Sequence, residues 1–310
     1  MKKTARFLAL ALFAALLPAG AMAQSETYYA GVVQHPATNI PPTSVVARYV
    51  LPIVQGGINN FSGLMTRNGV DVMLLSDHGF VVTGRLVRGY GQQIESFQLQ
   101  QRVPLLNERG TPLTGSLHDS EGLAIDRQGR IYVSFEQHNR VLRYARLGAP
   151  AESLGEHVDF SRMRAGQGME ALAVDADGTV YAIPERPARA TYGFPSYRLQ
   201  NGEWTGSFRL PQDGAFLPVG ADFGPDGQLY VLERETGARG YRSQVRRFVV
   251  RGRAISEPRV VMRSEYGQFA NLEGISVFRD WSGRIRMLMV SDDDTNTSRR
   301  SEIVDVVVNR

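Results

Sequence analysis

Asp119–Glu136 reads DSEGLAIDRQGRIYVSFE, and Gly168–Glu185 reads GMEALAVDADGTVYAIPE. The two align without a gap. Each holds an acid, a short apolar run, an Asp/Gly turn, a second apolar run with a tyrosine, and a closing acid. Short apolar runs bounded by turn residues are the pattern of strands, and two of them joined by a tight turn make a hairpin. Three weaker copies follow the same plan: Asn60–Asp77 (NFSGLMTRNGVDVMLLSD), Pro218–Glu233 (PVGADFGPDGQLYVLE) and Asn271–Asp292 (NLEGISVFRDWSGRIRMLMVSD). The equivalent small residues Gly63, Gly122, Ala171, Gly220 and Gly274 lie 59, 49, 49 and 54 positions apart.

Two more strand-like runs follow the second, third and fourth copies. They are Arg140–Arg146 and a run near His157–Phe160, then Tyr197–Leu199 and Ser207–Leu210, then Gln244–Arg251 and Arg259–Arg263. Four short antiparallel strands per unit at a period near fifty is the sequence form of a β-propeller. A lone four-stranded sheet leaves both faces bare, and radial packing buries them. The expected fold is therefore all-β, a propeller of five blades, with six as the alternative if two units are merged. The fifth copy ends early, at its third strand Glu302–Val308. Ser44–Leu51, ahead of the first copy, is expected to supply the missing strand and close the ring.

Residues 1–23 have a basic start, an apolar run from Phe7 to Leu17, and the small-residue site Ala21-Met22-Ala23. That is the pattern of a secretory signal peptide, and the run is too short to span a membrane. Residues 24–43 read as an extended lead-in and 44–310 as the propeller, exported to the periplasm of a bacterium or secreted.

Composition narrows the chemistry. Zero cysteines exclude a disulfide scaffold, a thiolate metal site and a cysteine nucleophile. The formal charge of +4 falls to +1 without Lys2, Lys3 and Arg6, so no broad basic field argues for nucleic acid. Lys2 and Lys3 are the only lysines. The processed chain thus has no Schiff-base or Walker-type lysine, and arginine alone remains to grip oxyanions.

In a propeller the first strand of each blade lines the central channel and the second runs back beside it. The start of the first and the end of the second then share a face. First-strand starts carry Ser62, Glu121, Glu170, Val219 and Glu273. Second-strand ends carry Asp77, Glu136, Glu185, Glu233 and Asp292, allowing a slip of one residue at Glu233. Eight of these ten positions are acidic. Converging carboxylates repel, so they must hold protons, pair with arginine or bind a cation. Oxygen donors suit Ca²⁺, with Mg²⁺ as the alternative. Asp293 continues the last acidic position into a run of oxygen-bearing residues. Arg140, Arg186, Arg234 and Arg300 follow the acids closely and would suit a substrate phosphate. The structural alternative is a set of salt bridges stitching blades together.

No Gly-x-Ser-x-Gly elbow is present, and the five histidines are not spaced as a zinc pair. His78 and His138 follow second-strand acids and could share their face. Asp126, Asp177 and Asp226 precede turn glycines, where plain turn chemistry is the expectation. Tyr132, Tyr181 and Tyr230 are expected to pack between blades.

At GGINNFSGL, LLSDHG, SEGLAID, VSFEQHNRVLRY, MEALAVDADG, YVLERE, NLEGISVF and VSDDDTN the chain resembles the exported bacterial phytase-like family, described by its esterase-like activity of phytase. The resemblance covers roughly residues 53–308. It implies a repeat protein whose recurrent acids carry a phosphoesterase-type activity. Carried over, those acids are Asp77, Glu121, Glu136, Glu170, Glu185, Glu233, Glu273, Asp292 and Asp293. The chain departs from the family pattern at His78, where an arginine is expected, and at Val219-Gly220, where an Asp-bearing turn is expected.

The expectation is a metal-dependent phosphoester hydrolase acting on a small phosphorylated substrate. Glu121, Glu170 and His78 are the candidate catalytic groups, and Asp77, Glu136, Glu185, Glu233, Glu273, Asp292 and Asp293 the candidate ligands. A monomer is expected, without nucleic acid and without a membrane span. The alternative is a non-enzymatic periplasmic propeller that binds a ligand or partner protein and keeps calcium as a brace.

Overall fold

The computed structural model describes residues 44–52, 58–164, 166–186, 192–293 and 301–309. The N-terminal strand β1 (Ser44–Val50) pairs with the last strand, β22 (Glu302–Val307), at the outer edge of the fifth sheet. Blade 1 is β2 (Phe61–Thr66), β3 (Asp71–Ser76), β4 (Phe80–Arg88) and β5 (Ile94–Pro104). Blade 2 is β6 (Ser120–Ile125), β7 (Ile131–Phe135), β8 (Arg140–Tyr144) and β9 (Ala151–Ser153). Blade 3 is β10 (Ala171–Val174), β11 (Val180–Ile183), β12 (Phe194–Gln200) and β13 (Glu203–Leu210).

Blade 4 is β14 (Leu217–Phe223), β15 (Leu229–Gly237), β16 (Gly240–Phe248) and β19 (Arg259–Arg263). A small hairpin, β17 (Val250–Arg251) and β18 (Ala254–Ile255), interrupts it. Blade 5 is β20 (Asn271–Arg279), β21 (Ile285–Asp292), β22 and β1. The fold is a five-bladed β-propeller closed by the N-terminal strand, as the repeat predicts. One strand lies elsewhere than expected. The outer strand of blade 2 is Ala151–Ser153, and the apolar side chain of Phe160 anchors a 3₁₀ turn, Phe160–Arg162, instead. Residues 1–43, and with them the signal peptide and lead-in, lie outside the described residues, as does Arg300.

The core consists of five apolar clusters, each spanning one interface between neighbouring blades. Leu75 meets Leu123 and Val133 between blades 1 and 2, and Tyr132 meets Leu172 and Val180 between blades 2 and 3. Tyr181 meets Ala221 and Val231, Leu232 meets Ile275 and Met287, and Leu288 and Val290 meet Leu64 and Leu74 to complete the circle. The tyrosines do pack there, and their hydroxyls also have work. Tyr132, Tyr181 and Tyr230 donate to the turn acids Asp126, Asp175 and Asp226 at 3.1, 3.3 and 2.9 Å. In blade 3 it is Asp175, not Asp177, that holds the turn, accepting from the Asp177 and Thr179 amides.

Around the axis the first strands come so close that side chains do not fit. A Cβ on Gly220 would lie 2.4 Å from the Glu273 carbonyl, and one on Gly274 would lie 2.7 Å from the Leu64 amide. Both obstacles are backbone, so neither can swing away. Gly220→Ala is expected to cost about 1–3 kcal/mol, the penalty of overpacking a rigid site. A urea melt checks this; a loss below a few tenths would contradict the close approach.

Candidate functional site

The acids reach the channel mouth because the first strands are bulged there. The ladder between first and second strands slips at Ser62, at Glu121-Gly122, at Val219 and at Glu273. In blade 3 the same slip leaves Met169 and Glu170 opposite Pro184, between the Glu185–Gly168 hydrogen bond and the Ala171–Ile183 pair. A bulge adds an unpaired residue and re-aims its side chain. Here it places one such residue per blade at the axis. The second strands come level with the starts of the first at Asp77, Glu136, Glu185, Arg234 and Asp292, which face Asn60, Asp119, Gly168, Leu217 and Asn271.

The structure thus separates the predicted acids. Asp119, Glu121, Glu136, Glu170, Glu185 and Glu273 come together. Glu121, Glu170 and Glu185 are buried, and oxygens of Asp119, Glu121 and Glu136 all lie within 4.8 Å of one another. Glu121 is held well above the usual carboxylate range by burial first, then by Glu170, Glu273, Glu136 and Asp119. Glu170 is raised well above that range by burial, then by Glu136, Glu273 and Glu185. Burial also raises Glu136, and hydrogen bonds from Glu170 and the Gly168 amide partly offset it.

Arg234 is the guanidinium inside this group. It donates to Glu273 Oε1 (2.5 Å), Asn271 Oδ1 (2.6 Å) and Glu185 Oε1 (3.2 Å), bridging blades 3 and 5. It was expected to grip substrate, but its hydrogen bonds go to the protein's own acids. Six carboxylates thus cluster at the mouth, with Arg234 inside the group and the half-exposed Arg186 at its edge beside Glu185. Glu170 and Glu273 also border a cavity of about 10 Å³ between the first strands, lined by Ser62, Gly122, Val219, Gly220 and Gly274, the threshold for one water.

Glu233 does not join the cluster. It pairs with Pro218, one position out of step with the ring, and successive strand residues face opposite ways. Its carboxylate is fully buried against Arg246 and Gln244. The residue at the ring position is Arg234, so the slip allowed at Glu233 pointed at the wrong side chain.

The remaining candidates sit around the rim. Asp77 accepts from Asn60 at 3.3 Å and pairs with His78 Nδ1, and burial still holds it above its usual range. His78 is half-exposed and stacks on His118 with centroids 5.9 Å apart. Asp292 pairs with Asn271 at the end of β21, and Asp293 behind it is buried. Arg186 is half-exposed, 3.7 Å from Glu185. Arg140 donates to the Leu117 and His138 carbonyls and lies 4.1 Å above the Phe135 ring, so it braces a loop. His138 shares a 3.0 Å hydrogen bond with Ser116.

Asp119 was missed as a ligand candidate. It stands two residues before Glu121, level with Asn60 and Asn271, and pairs with the end of β7 through the Glu136 amide. The donor set of Asp119, Glu121 and Glu136 is all oxygen and close-spaced, which fits a hard cation such as Ca²⁺ or Mg²⁺.

A family profile described as phytase-like, esterase-like activity of phytase, matches residues 56–295. No curated protein matches the chain. Three solved structures resemble it at the level of the fold. The PQQ-bound aldose sugar dehydrogenase of Streptomyces coelicolor is 14% identical, with a TM-score of 0.44 over 84% of this chain and 98% of its own. A gluconolactonase of Xanthomonas campestris is 13% identical, with a TM-score of 0.45 over 87% and 99%. An α-L-arabinofuranosidase of Podospora anserina is 11% identical, with a TM-score of 0.49 over 86% and 98%. Likeness at these values carries no argument about this chain's chemistry.

Proposed function

This chain belongs to the phytase-like family, and from that premise we propose that it is an exported, cation-dependent phosphoester hydrolase working at the acidic mouth of the propeller. The observation that carries the reading is the buried group of Glu121 and Glu170 with four further carboxylates, more acids than Arg234 and the half-exposed Arg186 can neutralise. Such a group is costly unless protons or a cation neutralise it. Export to the periplasm rests on the signal-like pattern of residues 1–23.

Asp119, Glu121 and Glu136 would hold the cation. A bound Ca²⁺ or Mg²⁺ supplies Lewis-acid polarisation of a phosphoryl oxygen and a more acidic water. Glu170 lies beside these three and, when ionised, takes the proton of the attacking water. His78, its ring held by Asp77, protonates the leaving oxygen from the rim. Arg186 has an exposed fork and steadies the phosphate, while Arg234 keeps Glu185 and Glu273 in place.

Assays of the purified chain on phosphomonoesters and phosphodiesters, with Ca²⁺ or with chelator, test this reading. Turnover is expected only with the cation. Glu170→Gln should lower kcat by about 10²-fold, the scale of a lost general base. Arg186→Ala should raise KM instead. Absence of cation-dependent turnover on every substrate would overturn the proposal.

A further inference from the structure

The hairpin between β15 and β16 is longer than its blade requires. In blade 1 the second strand stops one residue short of its ring position, Asp77. In blade 4 the ladder continues past Arg234 by the pairs Glu235–Arg242, Thr236–Tyr241 and Gly237–Gly240. At about 3.3 Å per residue, the arm rises roughly 10 Å above the acidic ring, on the same side of the propeller.

The arm is braced. Tyr266 lies where a Cβ on Gly237 would stand, 2.7 Å away, and the Gly267 amide donates to the Tyr241 carbonyl at 2.8 Å. Its guanidiniums and rings alternate in one stack. Arg239 lies 5.5 Å from the Tyr266 centroid, and Arg242 lies 5.4 Å from both Tyr266 and Phe216. Arg263 lies 5.4 Å from the other contact of that stack, Phe216.

A guanidinium set beside aromatic rings can still offer its N–H edges to an oxyanion in a bidentate way. Arg263 spends those edges on Asp213 and Gln244. Among the described residues, the acid beside Arg242 is the distant Glu235, at 3.8 Å. Exposed Arg239, at the tip, pairs with no carboxylate among the described residues.

We propose that the arm is an oxyanion subsite, in which Arg239 and Arg242 bind a phosphate or carboxylate group of a ligand whose other end reaches the acidic mouth. The subsite rests on the proposed function only for what happens at that other end. It implies a substrate with a second acidic group, set apart from the reacting one by the height of the arm.

Calorimetric titration of the chelator-treated chain with inorganic phosphate, and in parallel with acetate, tests the subsite directly. Saturable binding of at least one anion is expected, and the preferred one identifies the class. Arg239→Ala with Arg242→Ala should weaken binding by at least about five-fold, the loss of charge-assisted bidentate contacts. Arg239→Lys keeps the charge without the fork and should fall between. Arg253→Ala, at the exposed turn of the small β17–β18 hairpin, should change nothing. If the double variant does not fold, Arg239→Ala alone gives the answer, because its side chain is exposed. No binding of either anion, or equal binding by the variants, overturns the subsite. The titration runs without a cation and so reads the subsite alone: anion binding together with no Ca²⁺-dependent turnover in the phosphoester assays would sink the proposed function and leave the subsite standing, and Ca²⁺-dependent turnover without anion binding would do the reverse.

Discussion

Asp305→Ala is expected to destabilise the ring by about 3–5 kcal/mol, the cost of leaving buried charges unpartnered. Asp305 is fully buried in β22 between two arginines. Arg286 of β21 donates to both its oxygens, at 2.9 and 2.5 Å, and Arg88 of β4 reaches it at 2.7 Å. Arg88 belongs to blade 1 and Asp305 to blade 5, so the triad ties the two blades where the ring closes. Without the carboxylate, two nearly buried guanidiniums face each other, and Arg88 is already pushed below its usual range by burial. Thermal melts should show a fall on the order of 10 °C. Replacing the triad together (Asp305→Leu, Arg286→Met, Arg88→Met) should recover most of the loss, since apolar residues of like volume can replace a buried ion network. A single-variant loss under about 1 kcal/mol would mean that water reaches the site.

The second large effect is a pH dependence that a cation reverses. Glu121, Glu170 and Glu136 have folded-state proton affinities above the unfolded carboxylate value, chiefly through burial. Asp222 is pushed up to about 7 by burial, although it accepts from the Val277 amide at 2.7 Å. For acids raised in this way the folded state binds more protons than the unfolded chain. Their contribution is complete below about pH 4 and is lost as pH rises through the folded values. In chelator, stability should therefore fall from pH 5 to pH 8, with Asp222 alone accounting for on the order of 3 kcal/mol across that window.

Two additions separate the sources. Asp222→Asn keeps an acceptor for Val277 and removes the Asp222 share of the slope. Ca²⁺ should remove the share from the acidic mouth, because a cation replaces the protons there and stabilises only the folded state. Denaturant melts at the two pH values, with and without Ca²⁺, measure both. A slope that is flat in chelator, or indifferent to Ca²⁺ in Asp222→Asn, would contradict the buried acidic group.

The fold was legible because it is written in repeats. The small residues Gly63, Gly122, Ala171, Gly220 and Gly274 mark the closest approach of neighbouring first strands, and four are glycine where a Cβ would strike the next blade. Closure by Ser44–Leu51 followed from a fifth copy one strand short. The site was legible in its acids and misread in one sector. The spacing of 49 that joins Glu136 to Glu185 lands next on Arg234, and moving one place to the acid Glu233 reversed the direction of the side chain. Asp119 was hidden because its importance comes from a pairing across strands, not from its neighbours in sequence. The cation–aromatic stack of the arm could not be foreseen, since Phe216, Arg239, Arg242, Arg263 and Tyr266 come from three separate stretches of chain. Arg300 lies outside the described residues, so its expected role beside a phosphate stays a proposal.

Anomalous diffraction from crystals grown with Ca²⁺ goes straight to the claim that the blades converge their acids on a cation. The account predicts one strong peak bounded by oxygens of Asp119, Glu121 and Glu136 at about 2.3–2.6 Å, with Glu170 beside it. An ion-free mouth at saturating Ca²⁺, with Glu136 and Glu170 still hydrogen-bonded to each other, would contradict it.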